Sequence, residues 1–154
     1  MNTQRRLTIK AGGSFAVIAA AISAGVLPAS AFADWNKAAF DAKNMNDVLK
    51  AMGGSAAEKS GDITITAPDI AENGAVVPVA VASKLANTQS IAILVEKDPS
   101  SLAAQFDILA GTEANVGTRV KMGQSSNVHA VVKAGGKYYV ATKEIKVTLG
   151  GCGG

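Results

Sequence analysis

The sequence is short of the residues on which most chemistry depends. Its 154 residues hold one cysteine, one histidine and one tryptophan, and aromatic residues make up only 5%. One Cys and one His supply no zinc, haem or iron–sulfur ligand set, so no metal and no cofactor is expected. No nucleophile elbow, phosphate loop or paired-carboxylate motif is present, so no catalytic residue is assigned. There is no uninterrupted apolar run long enough to span a bilayer. Charge of one sign is also missing. Setting aside Arg5, Arg6 and Lys10 of the leader, 12 of the 15 basic residues face 12 acidic ones, a formal charge of zero. Such a balance excludes the single-sign field that nucleic acid or an anionic membrane would require.

What is present begins with an export leader. Arg5-Arg6 precede Leu7-Thr8-Ile9-Lys10 and the apolar run Phe15-Ala16-Val17-Ile18-Ala19-Ala20-Ala21-Ile22. Small residues, Ala31-Phe32-Ala33, then offer a cleavage site before Asp34. Residues 1–33 read as a cleaved twin-arginine signal, which sends the protein to the periplasm with no membrane attachment after cleavage. The remaining chain, about 121 residues, suits one core.

Residues 34–54 read as a helical segment. Ala38, Ala42, Met45, Leu49 and Met52 share one face of a 3.6-residue period. Asn44 or Asn46 can cap a second start within it, and Gly53-Gly54 stop it. From Asp62 the period becomes two. Expected strands are Ile63-Thr64-Ile65-Thr66, residues 75–82, residues 90–96, a short one around Phe106 and Ile108, residues 116–122, residues 128–134, residues 137–140 and a last one over about residues 144–149, with the slip near Thr142-Lys143 suggesting a bulge or a strand break. Asn73-Gly74 is expected to turn through positive φ. Pro78 implies an edge position or a bulge, and Gly135-Gly136 a two-residue hairpin. About seven short strands divided by Gly, Pro and Asn predict an all-β antiparallel sandwich over residues 55–149. His129 lies mid-strand and is expected to be an ordinary side chain facing solvent or a partner.

The chain ends Gly150-Gly151-Cys152-Gly153-Gly154. Glycine visits both signs of φ freely, so residues 150–154 read as a flexible arm, with Gly150, Gly151, Gly153 and Gly154 supplying its freedom. Extended, the reach from Leu149 to Cys152 is roughly 10 Å, at about 3.3–3.6 Å per residue. A lone exported cysteine is a free reactive thiol or pairs with another molecule. Two readings follow: a covalent carrier, or a structural or adhesive domain tethered by an intermolecular disulfide through Cys152. A cysteine enzyme fits poorly, because its nucleophile must be held near a base. Nothing in the tail lowers the thiol pKa, so activation must come from the sites that the arm enters.

The tail, the stretch Ala71-Glu72-Asn73-Gly74-Ala75-Val76-Val77-Pro78 and the turn Glu96-Lys97-Asp98-Pro99 together resemble the SoxY family. That family is the sulfur-carrier subunit of the periplasmic thiosulfate-oxidising Sox system. The resemblance implies an immunoglobulin-like sandwich in a heterodimer with a SoxZ subunit, and Cys152 as the covalent sulfur attachment point. It also implies transient work with the haem-containing SoxAX enzyme, the SoxB hydrolase and the SoxCD dehydrogenase. The protein is then a carrier acted on by enzymes and not an enzyme itself.

Overall fold

The computed structural model describes residues 35–148. The signal at residues 1–33 and the arm at residues 150–154, with Cys152 and its four glycines, lie outside the described residues.

Two short helices come first, α1 (Lys37–Asp41) and α2 (Met45–Ala51). Each opens on an asparagine: Asn36 Oδ1 accepts from Ala39 N–H at 3.1 Å, and Asn44 Oδ1 accepts from Asp47 N–H at 2.9 Å. The helical stretch is thus two helices, divided at the Asn44 cap. Gly53, at φ +84, donates to Lys50 O, and Gly54 donates to Leu49 O at 2.8 Å. Together these bonds form a Schellman stop.

Nine strands follow: β1 (Glu58–Lys59), β2 (Ile63–Thr66), β3 (Ile70–Ala71), β4 (Val77–Ser83), β5 (Thr88–Val95), β6 (Leu102–Asp107), β7 (Asn115–Val120), β8 (Ser126–Ala134) and β9 (Lys137–Val147). Seven have four residues or more, as the period-two pattern predicts; β1 and β3 have two each. A larger sheet runs β1-β9-β8-β5-β6, with β3 also on β9, and a smaller one runs β2-β4-β7. The long strands pair antiparallel, whereas β1 and β3 run parallel to β9 along its free edge. Gly135 and Gly136, at φ +55 and +79, close the β8–β9 hairpin with Ala134 opposite Lys137.

The sandwich core lies between the two sheets. Val77, Val79 and Val81 of β4 meet Ile91, Ile93 and Val95 of β5 and Val128, Ala130 and Val132 of β8. A second core lies on the other side of the larger sheet. Ala39, Val48 and Leu49 of the helices bury Ala92, Leu94, Val131, Tyr138 and Val140 there. β5 is therefore buried on both faces over most of its length, which is why it reads as a continuous apolar run.

One local expectation is met in a particular way, and two give way to other physics. β4 is the middle strand of its sheet, and its register against β7 is unbroken, so Pro78 is not at a bulge. It holds an edge position all the same: β2 ends at Thr66 opposite Ala80, and Pro78 lies beyond that end, where β4 has a neighbour on one side only. β9 is likewise continuous past Thr142-Lys143. Its apolar residues change face there because the helices cover only half of the outer surface. Tyr138 and Val140 are buried under the helices, while Ile145 is buried in the sandwich. Register shifts fall in β5 instead, between Thr88 and Ser90 and between Ile93 and Leu94. At the Asn73 turn neither Asn73 nor Gly74 has positive φ. Asn73 Oδ1 accepts from Ala75 N–H at 2.9 Å, and the glycine is needed for space.

Candidate functional site

The candidate site among the described residues is the root of the C-terminal arm, where β9 leaves the sandwich. Val147 N–H donates to Ser125 Oγ at 2.9 Å. On the opposite edge, Lys146 N–H donates to Asp69 O at 2.9 Å and Thr148 N–H to Ala71 O at 3.1 Å. The last residues before the arm are therefore gripped from both sides. Beside them, Lys143 Nζ donates to Ala67 O at 2.6 Å and lies 3.0 Å from Asp69 Oδ1, which pins the segment leading into β3.

The Asn73 turn fills the space between this root and the end of the smaller sheet. Met122 N–H donates to Gly74 O at 2.7 Å. A Cβ on Gly74 would sit 2.3 Å from Met122 O and 2.8 Å from Val147 Cγ1, so no other residue fits without backbone movement. The Glu96-Lys97-Asp98-Pro99 turn belongs to the same end: Lys97 N–H donates to Ser126 Oγ at 3.1 Å, next to the Ser125 that holds Val147. Two stretches distant in sequence thus meet around the exit of the arm. Ile70 and Val76, 57% and 49% exposed, add an apolar rim to the exit.

His129 sits apart, on the outer face of the larger sheet. Its Nδ1 lies 2.9 Å from Thr142 Oγ1, and its Nε2 lies 3.7 Å from Glu96 Oε2. Its side chain is only 14% exposed, so it is less open to solvent than a surface strand position would be. Burial pushes the imidazole below its ordinary value, with the Glu96 carboxylate pulling partly back. Beside it lies a cavity of about 280 Å³.

The grip of Ser125 on Val147 and the wedge of Gly74 are not readable from sequence, since each joins residues far apart in the chain. Only the Asn-Gly pair gave a local signal, and it pointed to a turn without revealing the close approach. Among the described residues no group of three or more His, Cys, Asp or Glu side chains is arranged to hold a metal ion, and no helix is long and apolar enough to cross a membrane.

Residues 48–152 match the family described as "Sulfur oxidation protein SoxY". Among solved structures, the sulfur carrier protein SoxY from Chlorobium limicola f thiosulfatophilum is 40% identical, with a TM-score of 0.63, over 69% of this chain and 97% of that one. A variant superoxide reductase (neelaredoxin) from Ignicoccus hospitalis is 19% identical, with a TM-score of 0.50, over 64% of this chain and 87% of that one. At that identity the likeness is one of fold alone. No curated protein sequence matches.

Proposed function

Because this chain belongs to the SoxY family, we propose that it carries sulfur intermediates of thiosulfate oxidation on the thiol of Cys152. The observation that carries this reading is that the family match runs to residue 152, the position of the chain's only cysteine. The rooted end of β9 suits such a role, because it holds the start of the arm to the sandwich.

In the first step the Cys152 thiol and thiosulfate join through a new S–S bond. One proton is released, and two electrons pass to a haem-containing partner oxidase of the SoxAX type. Water then cleaves the terminal sulfone from the resulting thiosulfonate. A SoxB-type hydrolase promotes this step, which yields sulfate, two protons and a persulfide anion on Cys152. No electrons move in the second step. The sulfane that remains is available to a SoxCD-type dehydrogenase or to another acceptor. The working form is a heterodimer with a SoxZ-type subunit in the periplasm. The twin-arginine leader moves folded proteins, so a partner without its own signal would be exported bound to this chain.

Intact mass spectrometry of protein purified from cells grown on thiosulfate tests the reading. Sulfane and thiosulfonate additions confined to the C-terminal peptide are expected. A persistent disulfide-linked partner without such additions would support a tether instead.

A further inference from the structure

The helices cover only part of the outer face of the larger sheet. Beyond α2 the same face continues with Glu96 and His129, and the cavity beside His129 lies at this boundary. Asn44, Met45 and Asn46 line it from the helix side, together with Leu94, Glu96, Ser101 and His129. The lining contains one carboxylate and no Lys or Arg.

Three polar atoms here are under-used. Ser101 is 1% exposed, and its hydroxyl has no hydrogen-bond partner within the protein. A buried hydroxyl left in that state carries a desolvation cost that a hydrogen-bonded one does not. Glu96 Oε2 and His129 Nε2 stand 3.7 Å apart, too far for a hydrogen bond to each other. A donor entering between them could serve both. Each is already oriented from behind, Glu96 Oε2 by Asn127 Nδ2 at 2.8 Å and the His129 ring by Thr142 Oγ1 at 2.9 Å.

We propose that this cavity is a socket for one lysine or arginine side chain of a partner protein. An ammonium brings three donors and a guanidinium five, enough to add to the one hydrogen bond that Glu96 Oε2 already accepts and to reach His129 Nε2 in the tautomer whose Nδ1–H faces Thr142 Oγ1. Met45 and Leu94 give the aliphatic stem an apolar surface. An anionic guest would face the Glu96 carboxylate, and an apolar one would leave the Ser101 hydroxyl without a partner. The choice of a protein as the source rests on the carrier reading, since a carrier must be held by each enzyme that works on its cargo.

The test is a nitrogen-15 NMR titration of the full chain with Nα-acetyl-lysine methylamide and its arginine counterpart. Saturable shifts at Met45, Leu94, Glu96, Ser101 and His129 are expected, with none from the norleucine analogue. Glu96→Gln should weaken binding by about tenfold or more, and Ser101→Ala by about two- to tenfold. Ser101→Ala removes an unpartnered hydroxyl, so its folding is not at risk. Absence of saturable shifts, equal binding of norleucine, or unchanged affinity in Glu96→Gln would overturn the socket. Spermidine binding tighter than either side-chain analogue would overturn the protein as its source. Sulfur on Cys152 plays no part in this titration, so failure of the socket and failure of the carrier reading remain separate results.

Discussion

Two residues at the arm's root show how little tolerance the exit has. Gly74 leaves no room for a methyl group between Met122 O and Val147 Cγ1. Gly74→Ala should therefore destabilise the chain by about 2 kcal/mol or more, read as a lower urea midpoint. Ser125→Ala removes the acceptor for Val147 N–H and should cost about 1–3 kcal/mol, with faster amide exchange at Val147 than in the wild type. His129 makes stability depend on pH. Its folded pKa lies below the unfolded value of 6.5, so the folded chain binds fewer protons across that interval. Its contribution is full above about pH 6.5 and is lost as pH falls from there toward the folded value. Between about pH 7 and 5 the thermal midpoint should fall less steeply in His129→Gln than in the wild type.

At the scale of elements, the helices are held to the larger sheet by the second core, with Tyr138 at its edge toward Gly54. Tyr138 OH donates to Met52 O at 2.5 Å, and a Cβ on Gly54 would press into the Tyr138 ring at 2.7 Å. Tyr138→Ala should expose the second core, cost about 3–5 kcal/mol, and raise exchange first in α2 amides. The helices themselves were legible, down to the Asn44 cap and the Gly53 stop, because capping and stop chemistry is local. Their docking place was not. The clue was in β5, where Ile91, Ala92, Ile93, Leu94 and Val95 are apolar at consecutive positions, a pattern that fits a strand covered on both faces. β1 and β3 left no trace, since strands of two residues have no period and depend on the edge of β9.

Across the whole molecule, the fold class could be read from alternation, because each long strand turns one face to the sandwich core. The proposed site is legible only as composition: a lone cysteine among glycines singles out the thiol, but the contacts that hold the end of β9 are ones that only folding creates. Cys152→Ser should abolish sulfur additions while its urea unfolding curve overlays that of the wild type. Gly151→Val and Gly153→Val should fold equally well and slow turnover by the partner enzymes in a reconstituted assay. Unchanged turnover in both would mean that the arm enters no narrow channel.

The two-sided grip on the end of β9 also has a mechanical meaning. On the proposed carrier reading, an enzyme that drew residues 150–154 into its active site would load the end of β9 along the strand. The β8–β9 hydrogen bonds run across that axis, and nine residue pairs share the load from Ser126–Ile145 to Ala134–Lys137. β3 takes up the same load from the other edge. Traction on the cargo is therefore resisted in shear, by many bonds at once, and the strand does not peel away one bond at a time.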